Sequence, residues 1–432
     1  MEIAAMSVLE PIASWTHTCA TQTRICEPEK TDLTQPFIAR GGGCSFGDAS
    51  FLTDGQTVVQ TLEPVIVIDS ENMTCRVSAN IEMGELHRSL IPNGYQFSVY
   101  GGTQWATVGG ATASDIHGKN HHRVGSFGRH VKAIKLKIPS GDVLVCSAEE
   151  NADLFSATIG GMGLTGMILE VELRIQPLDF TSVIESKTPF FSFEEMLALL
   201  REDPAFHYAC LYVAKQPVNG WYVSADYAEE KRPFPEKAKD WAWLPHLPIV
   251  RDGTLQFANQ LAKQRHRSKQ NTKHVFAYNY GGPHQMVKQA NRFLPKSGVI
   301  EFHYHLSDEH FSHSLDVMLA MAEKARLPLT HLVIKRMGDF SSPGMLAFTA
   351  PGWAINFQVQ DNSLSRDFLS AFANEIAPLN PRFYLAKDAC LSAEHYHASA
   401  PELESWQRIV KHIDPLNLIR SDLSQRLSLK PW

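Results

Sequence analysis

Gly160-Gly-Met-Gly-Leu-Thr-Gly166, running straight into Met167-Ile-Leu-Glu-Val-Glu-Leu-Arg-Ile175, decides which kind of fold this chain can have. The string from Gly161 to Gly166 satisfies the G-x-G-x-x-G pattern of a dinucleotide-binding turn, but that turn works by aiming the N-terminus of a following helix at a pyrophosphate. Here Val171, Leu173 and Ile175 share one face while Glu170, Glu172 and Arg174 share the other, the period-two alternation of a half-buried strand. A nicotinamide-type Rossmann site is therefore rejected, and the chain contains no Walker string.

Working outward, three more glycine-dense sites lie in the same half: Gly41-Gly42-Gly43 with Gly47, Gly101-Gly102, and Gly109-Gly110. Glycines let the backbone approach a ligand closely, and consecutive exposed amides form anion-binding nests that hold phosphate without a lysine. One such loop is usually a tight turn. Four in one β-rich half with few local cations point to a long phosphate-bearing cofactor threaded between loops.

The 432 residues carry 40 basic and 46 acidic side chains, a net charge of -6 that gives no global attraction for nucleic acid. Seven scattered cysteines without a Cys-x-x-Cys pair argue against a disulfide framework or thiolate zinc site, and a reducing cytoplasm fits them best. No signal peptide or spanning apolar run is expected. Short strands are predicted at Val65–Ile68, Val131–Ile138 and Met167–Ile175. From about 177 the texture changes to longer units, with strands at His207–Ala214, Gly220–Tyr227 and Val299–Leu306. Ser192-Phe-Glu-Glu195 reads as a capping box, and Asp308–Arg326 as a second helix. Residues 229–273 read as loop, with Trp241, Trp243 and Leu247 ahead of a basic tract of Lys263, Arg265, Arg267, Lys269 and Lys273, which fits a lid or a peripheral contact with an anionic membrane. The last 50 residues are expected to give a strand at Phe383–Ala386 and helices at Trp406–Ile413 and Ser421–Leu427.

Three stretches carry a family resemblance. Ala39-Arg-Gly-Gly-Gly-Cys-Ser-Phe-Gly-Asp48, Gly101-Gly-Thr-Gln-Trp-Ala-Thr-Val-Gly-Gly-Ala111 with Asp115-Ile-His-Gly-Lys-Asn-His-His122, and Gly160–Gly166 resemble the FAD-binding domain of the vanillyl-alcohol oxidase superfamily, the PCMH type. Tyr384-Leu-Ala-Lys-Asp388 and Ser421-Asp-Leu-Ser-Gln-Arg-Leu427 extend the similarity nearly end to end, most closely toward the branch acting on polyprenyl-phosphate-linked pentoses. The resemblance implies an α+β, two-lobed flavoenzyme. An FAD domain of residues 1–176, completed by 383–432, would hold noncovalent FAD, and a substrate domain of 177–382 with an antiparallel sheet would cover the ring.

By the same resemblance Arg40, Gly41, Gly42, Gly43, Cys44, Ser45 and Phe46 would wrap the pyrophosphate and approach the ring. Gly102, Thr103, Val108, Gly109, Gly110, Ser114, His117 and Gly118 would line the ribityl and ring, Gly163 and Ile168 the adenine side, and Tyr384 the flavin. Lys387 and His117 would be catalytic in hydride removal from a secondary alcohol to flavin N5. Lys119, Lys335, His303, His305, Asn356 and Lys387 would bind substrate, with three lysines suited to a phosphate-bearing sugar. No metal is expected. Departures are specific: Phe46 replaces a tyrosine, His303 and His305 replace pocket glutamines, and Ala354 and Asn356 alter a Gly-Trp-Asn-Ile-Cys segment, so the substrate need not be the family's own. Cys44 stands where related sugar-alcohol and lactone oxidases carry a flavin-bonded histidine. The alternatives are a soluble lactone or alditol oxidase using oxygen, or a flavin-binding protein without turnover.

Overall fold

The computed structural model describes residues 9–211, 218–233, 243, 245–249, 253–254, 268–280 and 288–432. Three antiparallel or mixed sheets and one short ladder organise them. The first half builds a four-stranded sheet, ordered Glu10–Ala13, Ala20–Cys26, Gln56–Val59, Phe37–Arg40, whose last two pairings are parallel. It also builds an antiparallel five-stranded sheet of Ile66–Asp69, Thr74–Ser78, Met167–Arg174, Val131–Lys137 and Val143–Ser147. The alternation read at 167–175 is real: Val171 and Leu173 are fully buried, and Glu170 answers Arg76 at 2.6 Å and Lys135 at 3.0 Å on the outer face.

The second half forms an eight-stranded antiparallel sheet in the order Lys269–His274, Ser182–Phe190, Gly220–Ala228, Phe206–Leu211, Thr330–Met337, Gly352–Gln360, Val299–Leu306, Arg382–Phe383. Two helices, Asp308–Ala325 and Ser363–Ile376, cover one of its faces. The helical period places Phe311, Leu315, Met318, Leu319 and Ala322 on one stripe, and Phe368, Leu369, Phe372 and Ile376 on another. Each of the Phe, Leu, Met and Ile side chains contributes about 1.5–3 kcal/mol by leaving water. Phe311 stacks on Trp353 at 4.6 Å, and Phe372 meets Phe302 at 5.8 Å and Tyr304 at 5.5 Å. That packing fixes which way the central strands face. Phe302, Tyr304, Trp353, Ile355 and Phe357 turn toward the helices, so their odd or even neighbours Glu301, His303, His305, Ala354, Asn356 and Gln358 turn the other way.

Two expectations need correction. The Lys269–His274 segment, read as the end of a loop, is an edge strand paired with Ser182–Phe190, with Lys273 bonded to Glu185 at 2.9 Å. Its polar composition hides it from any apolar period, and charged residues are how sheet edges are protected. The strand expected at Phe383–Ala386 stops at Phe383, because the Lys387 amide donates to the Tyr384 carbonyl at 3.0 Å and closes a 3-10 turn over Leu385–Lys387. The capping box holds in a shifted form: the Ser192 hydroxyl accepts from the Glu195 amide at 3.1 Å, and Glu195 reaches back to the Phe191 amide at 2.6 Å.

The C-terminal segment closes the first half. Ile419 bridges Phe37, the Phe46 amide donates to the Ala386 carbonyl at 3.0 Å, and Trp406 is buried with its indole N–H on the Ala157 carbonyl at 2.9 Å. Arg426 grips Asp48 at 2.7 and 2.8 Å and approaches Asp388 at 2.9 Å. Among the described residues no helix is long and apolar enough to cross a membrane.

Candidate functional site

The site is written across three neighbouring strands, on the sheet face the helices leave free. Register places Lys335, Ala354 and His305 in one row, and Asn356 opposite His303 in the next. Glu301 and Gln358 form a third row. Opposed side chains on one face stand about 4.5–5.5 Å apart at Cβ, so a polar grid faces the closing segment. Gln358 Nε2 donates to one Glu301 oxygen at 2.8 Å, and the other pairs with Lys387 Nζ. Burial pushes the Glu301 carboxyl up, but Lys387, His331 and the Gln358 hydrogen bond together outweigh it, and the acid stays ionised below the usual carboxylate range.

Above the middle row sits an aromatic box. His303 lies 5.2 Å from His117, 4.8 Å from Phe348 and 5.4 Å from Tyr384, and His117 lies 5.3 Å from Phe348 and 5.1 Å from Tyr384. His117 Nδ1 and both His303 nitrogens are buried without a hydrogen-bond partner. Desolvation first, then the neighbouring ammonium and imidazole groups, pushes both imidazoles well below the usual histidine range, so both are neutral. The loop presenting His117 is held by Asp115, which accepts from the Gly128 amide at 2.7 Å and the Ser342 hydroxyl at 2.6 Å. Asn120 ties the other end to the Ser98 carbonyl at 2.7 Å.

Lys387 acts on Lys335, and Lys119 does so more weakly, but the three lysines are not equivalent. Lys387 also lies 5.4 Å from the Phe46 ring, which stacks on Trp15 at 5.3 Å. Lys119 donates to the Tyr278 carbonyl at 3.3 Å and sits over the rings of Tyr278 at 4.3 Å and Tyr208 at 5.5 Å. Burial, reinforced by Lys387, lowers Lys335 to about 7, and burial lowers Lys119 to about 8. Both lysines are half-buried. A small cavity is lined by Glu301, His303, Tyr384 and Asp388. A larger cavity of ≈ 400 Å³ lies far along the chain at Asn417, Arg420 and Trp432, but its buried cation Lys430 is already consumed by Asp414 at 2.8 Å.

The glycine loops meet one another. A Cβ at Gly42 would lie 2.2 Å from the Trp105 carbonyl oxygen, and Gly43 has φ +63°, so this loop can seat against 105–107 only as glycine. The amides of Gly42, Gly43, Cys44 and Ser45 donate to no acceptor among the described residues. Behind them Arg40 faces away, bonding Ser50 Oγ at 2.9 Å and the Ala13 carbonyl at 3.0 Å. Gly102 opens onto empty space where a Cβ would point. Thr103 accepts from the Trp105 amide at 3.3 Å, and Thr107 caps Val108–Ala113 by accepting from Gly110 at 3.2 Å, with Gly109 on the Ala79 carbonyl and Ser114 on the Gly110 carbonyl. Gly118 abuts the Tyr100 carbonyl. Gly163 has φ +76° in a nearly open surround, and the Ile168 carbonyl accepts from Gln60 at 2.8 Å. A run of unanswered amides beside a glycine-lined opening and orphaned nitrogens on Trp105, His117 and His303 fits a dinucleotide carrying a flat polar ring.

Residues 29–147 match the model of the FAD binding domain family. The chain is an FAD-dependent oxidoreductase. This flavoenzyme is 27% identical over 91% of its length to decaprenylphosphoryl-beta-D-ribose oxidase of Mycolicibacterium smegmatis, covering 89% of that protein. It is 27% identical over 81% of its length to an uncharacterised Streptomyces coelicolor protein, which it covers completely. It is also 30% identical over 47% of its length to L-gulonolactone oxidase of Mus musculus, covering 45% of that protein. In the flavoenzyme Cys44 is half-buried, and burial followed by the nearby Glu82 pushes its thiol up to about 12, far from an attacking thiolate. Acid precipitation is therefore expected to leave the flavin in the supernatant; a yellow pellet would overturn noncovalent binding.

The grid shows what the sequence reading left out. Glu301 and Gln358 form a polar row with no motif around them, His331 acts on Glu301 from the strand Thr330–Met337, and Phe348 comes from the irregular stretch before Gly352–Gln360. The even spacing of Glu301, His303 and His305 along one strand is the one sequence signal that finds Glu301.

Proposed function

We propose that the flavoenzyme oxidises a secondary hydroxyl of a sugar that carries an anionic phosphate, a polyprenyl-phosphate-linked pentose or a related glycoside. The observation that carries this reading is the division of the cleft. Lys387 is spoken for by Glu301, while Lys335 and Lys119 have no carboxylate at ion-pair distance among the described residues. Two cations left without counter-charges are costly in a buried cleft unless an anion joins them. Bound FAD supplies the two-electron acceptor. The chain's own residues then have three tasks: Lys119 and Lys335 hold the phosphate, Lys387 steadies charge developing on the reacting oxygen, and the aromatic box of His117, His303, Phe348 and Tyr384 excludes water beside the reacting carbon. Trp243, 77% exposed, with Leu247 and Ile249, offers an apolar contact for the lipid side of such a substrate or its membrane. Trp241, Lys263, Arg265 and Arg267 of the same stretch lie outside the described residues.

The test is anaerobic bleaching of the flavin by phosphorylated and unphosphorylated sugar alcohols. Both lysines are lowered from their ordinary range, so they are mostly charged at pH 6 and lose charge as pH rises through about 7 for Lys335 and then about 8 for Lys119. KM for a phosphate-bearing sugar is expected to rise about tenfold or more between pH 6 and 9, since one charged contact of this kind is worth about 1.5–3 kcal/mol. A neutral sugar should show no such slope. A flat profile for both would remove the phosphate from the reading and favour the lactone or alditol alternative.

A further inference from the structure

An alcohol that gives up a hydride must also give up its hydroxyl proton, and the acceptor has to be a group that starts without one. Lys387 does not meet that condition. Its Nζ is paired with Glu301, a carboxylate 3% exposed whose other oxygen is held by Gln358 at 2.8 Å. Taking the proton off Lys387 would strand that anion in the interior, and breaking such a pair costs about 3–5 kcal/mol.

His303 does meet it. It stands two residues from Glu301 on the same face of Val299–Leu306, and its carbonyl accepts from the Tyr384 amide at 3.0 Å, which locks its backbone to the turn that carries Lys387. Three rings within 5.4 Å fix the plane of the imidazole. Both ring nitrogens lack partners, a debt of about 1–3 kcal/mol for each buried group that a hydroxyl would remove. Its neutrality follows from burial and from the positive charges around it. His117 belongs instead to the loop that follows the glycines, and of its two ring nitrogens only Nδ1 is both buried and without a partner.

We infer that Glu301 is a positioning residue that holds Lys387 as a fixed ammonium, and that His303 is the catalytic residue that takes the hydroxyl proton. The inference rests on the sugar-alcohol reading above. The C–H bond would break with its electron pair taken up as hydride by FAD, the two-electron acceptor, and the O–H bond would break toward His303. The carbon–oxygen bond becomes a carbonyl and the imidazole an imidazolium, while Lys387 keeps its three protons beside the oxygen.

The test uses the FAD-loaded protein. At saturating sugar alcohol without oxygen, His303→Gln is expected to slow bleaching about 100-fold or more, with FAD affinity and the midpoint of the substrate-induced spectral shift unchanged. His303→Ala should be partly rescued by added imidazole, which a purely structural histidine would not show. Bleaching by His303→Gln within about threefold of the wild type overturns the proton assignment. Thermal midpoints of Glu301→Gln, Lys387→Met and the double variant need no substrate: strong non-additivity is expected, and simple additivity overturns the positioning role. A wild-type protein that no sugar alcohol bleaches overturns the sugar-alcohol reading together with the proton step, and the midpoint cycle still decides the Glu301–Lys387 pair.

Discussion

Lys387→Met is expected to stay yellow and to lose anaerobic bleaching by its sugar alcohol by about 100- to 1,000-fold, the loss seen when one preorganised donor to a developing oxyanion is removed. The expectation comes from the ammonium's place between the Glu301 carboxylate and the cleft, at the end of the Leu385–Lys387 turn. Methionine keeps the length of the stem but leaves Glu301 buried and unanswered, so the single variant should also melt earlier. Pairing it with Glu301→Gln separates the two effects. The double variant should recover most of the thermal midpoint, because the stranded anion is gone, and recover none of the bleaching, because the cation is still missing. Rapid-mixing absorbance and a melting curve read both. Bleaching at the wild-type rate in Lys387→Met would remove that side chain from the chemistry.

Arg426→Met is expected to destabilise the protein by about 3–5 kcal/mol, since it strips the cation from two buried carboxylates at once. Asp48 and Asp388 are 7% and 8% exposed, and the guanidinium also donates to the Leu391 carbonyl at 2.7 Å. The loss should not stop at stability. Asp48 follows the glycine loop and Asp388 follows Lys387, so this single fork ties the glycine loop to the turn that carries Lys387. Looser flavin and slower bleaching are expected together with the lower denaturation midpoint. Arg76→Met, which breaks an exposed pair with Glu170, is the control and should cost about 0–1 kcal/mol. Equal midpoints for the two variants would show that the Arg426 fork is not a structural tie.

Sequence reading reached whatever was carried by a local period. The alternation at Met167–Arg174, the helix at Asp308–Ala325 and the shared face of His303 and His305 all follow from side chains two or four residues apart. The glycine loops were visible by composition. What the sequence hides is the partner of each charge. Glu301 and Lys387 are 86 positions apart, Asp48 and Arg426 are 378 apart, and nothing local ties either pair. The edge strand Lys269–His274 has too few apolar residues to show a period, and Phe348 enters the aromatic box from a segment with no regular structure. The Tyr384–Lys387 turn was misread because its apolar run looks like a strand until the backbone bonds are counted.

The tail that folds back over the first half has a consequence for how the protein is made. A chain leaving the ribosome N-terminus first completes its glycine loops early, yet the Arg426 fork that holds Asp48 follows 378 positions later, and the Ala386 carbonyl that receives the Phe46 amide is comparably distant. Contacts so distant in sequence form slowly. The glycine loop therefore lacks both of these ties until that distant stretch has been made.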